Sequence, residues 1–103
     1  MQRVNEADFT KEVLEADTVV IADFYSDSCI PCKHVGIELS ELDEEREDVK
    51  IVKINVNFDK PLAEKYGITA TPTLIYFKGG EEKQRVTGRK SKKDIAAVLA
   101  ELG

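Results

Sequence analysis

The sequence predicts an α/β fold in which helices cover a mixed β-sheet. Most of residues 18–25 are apolar, at consecutive rather than alternate positions, which is typical of a strand buried on both faces. Residues 49–56 alternate apolar and polar side chains, and a helical stretch separates the two segments, so residues 18–56 form a βαβ crossover. Two further strand-like segments, 73–77 and 83–87, are joined through a Gly-Gly pair and indicate an antiparallel hairpin.

Two elements are predicted before the crossover. Residues 2–4 form a short strand. Asn5 is a preferred helix N-cap residue, and a helix runs from there to about Ala16 with Phe9 and Val13 on its apolar face. The chain therefore begins with a strand and a helix that can both join the layers of the crossover.

Three more helices complete the predicted layers. The crossover helix has apolar residues at near-helical spacing: Val35, Leu39 and Leu42. Residues 61–66 form a short helix that Gly67 can end in the left-handed conformation. Ser91 is predicted to cap the last helix, whose apolar stripe must pack on the sheet. That stripe consists of Ile95, Val98, Leu99 and Leu102.

Length and composition exclude several classes of protein. The 103 residues are 42% hydrophobic and 34% charged, enough for one core without metal or disulfide support. A net charge of −5 argues against nucleic-acid binding, which depends on clustered Lys and Arg. No apolar run approaches the ~20 residues that span a bilayer, and the N-terminal residues do not form a secretion signal. We expect one domain over residues 1–103, a cytoplasmic monomer with no membrane partner.

The strongest functional signal is the motif Cys29-Ile30-Pro31-Cys32, between the buried strand and the crossover helix. As a structural staple, a disulfide closing so short a loop would contribute only ~2 kcal/mol by chain entropy. A structural zinc site needs four ligands, and the motif with His34 offers three unless a dimer shares ligands. An inert pair and a metal site stay open as alternatives, but a CxxC motif beside a βαβ unit favours thiol–disulfide chemistry.

The two cysteines are predicted to have different roles. Cys29 lies where the helix begins, so unpaired backbone N–H groups and the helix dipole favour its thiolate, the form that attacks disulfides. Cys32 lies one turn into the helix, where it is more buried, and would resolve the mixed disulfide by attacking Cys29. Pro31 fits the first helical turn because its missing N–H has no intrahelical partner there.

Asp23 interrupts the otherwise apolar central strand. A buried carboxylate without a partner has its pKa raised by desolvation, which makes Asp23 a candidate acid–base. The alternative is an aspartate at a strand end whose oxygens are bonded to loop amides.

The chain resembles thioredoxins over nearly its whole length. The matching segments are VVIADFY, SCIPCK, VKINVNFD, KYGITATPTLIYFKGG and TGRKSKKDI. The resemblance implies the thioredoxin fold, a mixed sheet of five strands in the order 1-3-2-4-5 flanked by four helices. It also implies a protein-disulfide reductase that needs no cofactor besides the redox-active disulfide Cys29–Cys32. Its partners would be a thioredoxin-reductase-type electron donor and disulfide-containing client proteins.

The resemblance assigns roles to residues outside the motif. Asp23 matches the family aspartate that takes the proton from the resolving cysteine, and Lys53 matches a lysine that pairs with it electrostatically. An ordinary exposed strand lysine is the alternative for Lys53. Pro72 matches a cis-proline opposite the active site, and the backbone of Thr71 would pair with an extended substrate segment. The predicted substrate groove also includes Ser28, Ile30, Pro31, Ala70 and Gly88.

Three departures from the family pattern affect the details of this prediction. Ser28 and Ile30 occupy positions where thioredoxins usually carry Trp and Gly, and the chain contains no Trp. Thr71 replaces an apolar residue, and Gly36-Ile37 occupies the region where the family helix usually kinks at proline. These departures leave the dithiol of the motif intact.

Two alternative functions stay open at this stage. A glutaredoxin-like reductase would use glutathione, but Pro31 directly precedes the second cysteine, whereas glutaredoxins favour proline directly after the first. A non-catalytic thioredoxin-fold module would use the altered motif to dock a partner. Two charged clusters are expected to be solvated faces rather than docking sites. They are the acidic run 38–48 and the basic residues Arg85, Arg89, Lys90, Lys92 and Lys93.

Overall fold

The computed structural model describes residues 1–102 and contains one mixed β-sheet. Gly103, the last residue of the predicted domain, lies outside the described residues. The strands are β1 (Gln2–Arg3), β2 (Val19–Tyr25), β3 (Val49–Asn55), β4 (Thr73–Lys78) and β5 (Glu81–Thr87). Their order is β1-β3-β2-β4-β5, with β3 parallel to β1 and β2, and β4 antiparallel to β2 and β5. The predicted crossover and hairpin are both confirmed.

The helices are α1 (Glu6–Phe9), α2 (Ile30–Glu45), α3 (Lys60–Lys65) and α4 (Lys92–Leu102). Both predicted N-caps are confirmed, because Asn5 Oδ1 accepts from the Asp8 N–H at 3.0 Å and Ser91 Oγ accepts from the Asp94 N–H at 3.1 Å. These side chains satisfy backbone donors that have no partner within the helix. No helix of the described chain is long and apolar enough to cross a membrane.

The predicted helix up to Ala16 differs from the structure. After one α-helical turn the backbone widens into a π-helical segment, Thr10–Leu14, which ends with the Glu15 N–H bonded to the Thr10 carbonyl at 2.9 Å. Phe9 and Val13 are buried, as the apolar pattern indicated. Apolar residues four positions apart fit either winding, so the sequence pattern does not distinguish them.

Two glycines permit the tight turn between β4 and β5. Gly79 and Gly80 form the β4–β5 turn with φ values of +60° and +80°, a left-handed conformation that side chains with a Cβ rarely adopt. Gly80 also lies against the π-helical segment, where a Cβ would come within 3.0 Å of the Leu14 carbonyl oxygen.

The sheet has a separate apolar cluster on each face. On one face, Val20, Ala22 and Phe24 of β2 pack with residues of α1 and α3. On the other, Ile21 packs with residues of α2 and α4. Successive strand residues point to opposite faces, so Asp23 shares the face of Ile21, beneath α2. The alternation of β2 therefore turns the one carboxylate of the central strand toward the helix that begins at the CxxC motif.

Candidate active site

The Cys29–Cys32 pair lies at the start of α2. The two sulfur atoms are bonded, with the Cα atoms 5.2 Å apart. Cys29 is the N-cap residue of α2, and its sulfur accepts from the Cys32 N–H at 3.2 Å. Pro31 occupies the first turn, as predicted. Cys29 is half-buried, whereas Cys32 is only 5% exposed. An attacking group from solvent therefore meets Cys29 first, and a thiolate there would receive a hydrogen bond from the backbone.

The segment 70–73 lies beside Cys29, although it is far away in the sequence. The Cys29 sulfur is 3.5 Å from the Thr71 carbonyl oxygen. The Thr71–Pro72 bond is cis, and the Gly88 N–H donates to the Pro72 carbonyl at 2.9 Å. The Thr73 hydroxyl donates to the Ala70 carbonyl at 2.6 Å. The structure thus brings Thr71 next to the disulfide and joins two further predicted groove residues, Pro72 and Gly88, by a backbone hydrogen bond.

The other predicted groove residues lie at the surface. Ser28, Pro31 and Ala70 are exposed, and Ile30 is 67% exposed. A large apolar side chain at such exposure beside a reactive sulfur provides contact area for another molecule.

Asp23 lies in the environment that its position in β2 predicts. It is 2% exposed, and its Oδ1 atom has no hydrogen-bond partner among the described residues. Burial raises the pKa of Asp23 to about 7, and the positive charge of Lys53 lowers it from what burial alone would give. The alternative interpretation, with both carboxylate oxygens bonded to loop amides, does not describe this side chain.

Lys53 is the residue opposite Asp23 in the parallel β2–β3 pairing. Its side chain is half-buried, and Nζ lies 5.7 Å from the ring centroid of Tyr25. No ion pair within 4.0 Å joins Lys53 to Asp23 in the part of the chain that the structure describes. Lys53 therefore acts on the carboxylate through its charge and not by a direct contact.

A cavity of about 550 Å³ runs along α2 and connects Asp23 and Cys32 with the surface. Lys53 and Gly36 also line it. A Cβ built on Gly36 would meet no atom within 4 Å, so the glycine leaves open space and does not relieve a clash. The sequence shows Gly36-Ile37 as a departure from the family pattern but does not reveal the cavity.

Sequence reasoning also missed the role of Asn55. This buried residue donates from Nδ2 to the Asp27 carboxylate at 3.2 Å and 3.3 Å, and its Oδ1 accepts from the Asn57 and Phe58 N–H groups at 2.8 Å and 3.3 Å. Asn55 therefore joins the loop after β3 to the loop that carries the cysteines. The available signal was an amide side chain at the end of a strand, where asparagine often bonds nearby backbone.

Comparison with known proteins assigns the family. The family model described as Thioredoxin matches residues 1–101. The chain belongs to the thioredoxin family. Similar relatives include thioredoxin from Pyropia yezoensis, 37% identical over 100 residues, with 96% of this chain and 94% of the relative covered. Thioredoxin 1 from Nostoc sp. is 35% identical, with 94% of this chain and 92% of the relative covered.

Family and site together establish the reaction type. The chain is a thiol–disulfide oxidoreductase of the CxxC type, a protein-disulfide reductase, whose redox pair is Cys29 and Cys32. Among residues 1–102 no group of three or more His, Cys, Asp and Glu side chains is placed to hold a metal ion.

Proposed function

We propose that this thioredoxin-family protein reduces client proteins in the cytoplasm as a monomer and receives its electrons from a thioredoxin-reductase-type enzyme. The observation that carries the proposal is the unequal burial of two bonded cysteines at one helix N-terminus. Both cysteines of the sequence lie in the redox motif, which leaves none for a structural disulfide and suits a reducing compartment.

Cys29 is the proposed nucleophile of the reduced protein. Its thiolate attacks one sulfur of a client disulfide, the client S–S bond breaks, and the other client sulfur leaves as a thiolate. The Cys32 N–H and the N-terminal end of α2 stabilise the negative charge on Cys29 before the attack. The product of this step is a mixed disulfide between Cys29 and the client.

Cys32 then resolves the mixed disulfide. Its thiol must lose a proton, and Asp23 is the proposed acceptor because both residues line the same cavity. With a pKa of about 7, Asp23 is charged in a large fraction of molecules at neutral pH and can take the proton. The Cys32 thiolate attacks the Cys29 sulfur, and the client leaves with both of its cysteines reduced. The charge of Lys53 favours the ionised form of Asp23.

Client recognition is proposed to use the groove around Cys29. An extended client segment would lie along Thr71 and pair with its backbone, which recognises many sequences because it does not depend on side chains. The cis Thr71–Pro72 bond and Gly88 form the wall of this groove, and the exposed Ile30 supplies apolar contact. The remaining proposed contacts are Ser28, Pro31 and Ala70.

Reduction of insulin with dithiothreitol as the electron source tests the catalytic function. We expect precipitation of the insulin B chain at a rate well above that of dithiothreitol alone. A rate equal to the background would leave the protein as a binding module. Replacing dithiothreitol by NADPH with thioredoxin reductase, or by glutathione with its reductase, identifies the donor. Activity with glutathione alone would favour the glutaredoxin-like alternative.

A further inference from the structure

The structure divides the basic cluster of the sequence into paired and unpaired residues. Arg85 forms an ion pair with Glu82 at 2.8 Å, and Lys92 forms one with Glu45. Arg89, Lys90 and Lys93 have no ion-pair partner among residues 1–102. These three residues therefore carry positive charges that the described chain does not neutralise directly.

Arg89 and Lys90 lie beside the substrate groove. They follow Gly88, whose N–H donates to the Pro72 carbonyl at 2.9 Å. The carbonyl of Thr71, the residue before Pro72, is 3.5 Å from the Cys29 sulfur. Two short contacts, Gly88 with Pro72 and Thr71 with the Cys29 sulfur, therefore link the segment that carries Arg89 and Lys90 to the disulfide.

A depression of about 320 Å³ lies between the segment that contains Arg89 and Lys90 and helix α2. Its lining residues are His34, Ile37, Glu38, Arg89, Lys90 and Ser91. Glu38 is the one acidic side chain among these lining residues. Its charge also acts on Lys92, whose pKa is raised mainly by Glu45 and least by Glu38. The lining of the depression therefore carries more positive than negative charge, although the whole chain carries a net charge of −5.

We propose that Arg89 and Lys90 form a docking edge that selects client disulfides whose cysteine is flanked by Asp or Glu. An extended client advances ~3.3 Å per residue, so acidic side chains two or three residues from the attacked cysteine come within reach of these long side chains. Opposite charges across such an edge raise the rate of productive encounter, and they disfavour clients with flanking Lys or Arg. The proposal rests on the disulfide-reductase function.

Three disulfide-linked peptides test the docking edge. They share one core sequence and carry acidic, neutral or basic residues at the second and third positions on each side of the cysteine. The measured quantity is kcat/KM for reduction by the dithiol form of the protein. For the wild type we expect kcat/KM about three- to tenfold higher with the acidic than with the basic peptide. The ratio should approach one as added salt screens exposed charges.

Charge reversal gives the decisive comparison. The Arg89→Glu/Lys90→Glu double variant should invert the preference in favour of the basic peptide, with both values of kcat/KM divided by that for the neutral peptide. The matched control, Lys11→Glu/Lys93→Glu, makes the same change in net charge at exposed residues that do not line the depression. The control should keep the acidic preference.

The outcomes separate this proposal from the function on which it depends. A wild type that reduces the neutral peptide without preferring the acidic one overturns the docking edge alone. Equal loss of preference in both double variants would assign the effect to net charge and also overturn it. Failure to reduce any of the three peptides contradicts both the docking edge and the proposed client reduction.

Discussion

The two sides of α2 differ in depth, charge and access to the cysteines. On one side a cavity leads to the buried Asp23 and to Cys32. On the other side lies a shallow depression lined by Arg89 and Lys90, which have no ion-pair partner among the described residues, and Ile30 is exposed next to Cys29. One side reaches the resolving cysteine and the other reaches the nucleophile.

This difference separates proton transfer from client recognition. A carboxylate whose pKa is about 7 needs burial, which excludes a large client from the same place. A client needs an exposed surface, where a carboxylate would keep its ordinary pKa. Substitutions in the cavity should therefore change the rate of resolution, and substitutions on the exposed side should change KM and the choice of client.

The largest effects are expected at the cysteines, where the two sides meet. Cys29→Ser should lower disulfide reduction to the background, because no exposed thiolate remains. Cys32→Ser should also stop turnover but accumulate a mixed disulfide with the client, since attack still occurs and resolution does not. Mass spectrometry under non-reducing conditions detects the adduct. Adducts with Cys29→Ser and none with Cys32→Ser would reverse the two roles.

Asp23→Asn tests the cavity side. Removing the titrating group should slow resolution at neutral pH by about 10²-fold, with little change in KM. Stopped-flow measurements of mixed-disulfide decay between pH 6 and 9 check this. Rates equal to those of the wild type across that range would contradict the proton-acceptor role.

Asp23→Asn should slow resolution but raise the stability of the folded protein at alkaline pH. The folded-state pKa of Asp23, about 7, is above the ordinary aspartate value of 3.8, so the folded protein binds the proton more tightly than the unfolded chain does. The stabilisation that the wild type gains from binding this proton is lost as pH rises from about 4 through 7. Above that range the full cost of burying the charged carboxylate remains. Asp23→Asn should therefore be more stable than the wild type at pH 8, by about 1–3 kcal/mol, with no such gain near pH 3. Urea unfolding at the two pH values checks the sign.

Ser28→Trp tests the exposed side of α2. An aromatic ring beside Cys29 would add apolar contact area for clients, and we expect KM for unrelated protein disulfides to fall about three- to tenfold. The rate of mixed-disulfide resolution should stay unchanged, because Ser28 is outside the cavity. A KM that stays constant for several clients would mean that they bind elsewhere.

The smallest effect is expected for Gly36→Ala in the cavity wall. Alanine is a better helix former than glycine, and its Cβ meets no atom within 4 Å, so stability should rise by about 0.5–1 kcal/mol. Thermal unfolding detects a change of that size in a domain of this length. The larger Gly36→Leu provides the functional arm, since filling the cavity should slow resolution and leave KM unchanged. Unaltered resolution in Gly36→Leu would separate the cavity from proton transfer.

Several features of this protein follow from local sequence alone. The strands, the caps at Asn5 and Ser91, the Gly79-Gly80 turn and the position of the CxxC motif at a helix start are all specified within a few residues. Backbone propensity, side-chain alternation and capping act over that range. The resemblance added the strand order and the residues of the groove, and the structure has the same strand order.

Other features depend on residues that only folding brings together. Cys29 and Thr71 are 42 positions apart in the sequence and meet at 3.5 Å. The pKa of Asp23 depends on the helix above it and on Lys53 in the next strand. The cavity along α2, the link from Asn55 to Asp27 and the position of Arg89 in the depression beside α2 are likewise results of packing. Burial, electric field and cavity volume at a residue depend on which residues lie near it in space. The tertiary structure determines those neighbours, so the residue types alone do not predict these properties.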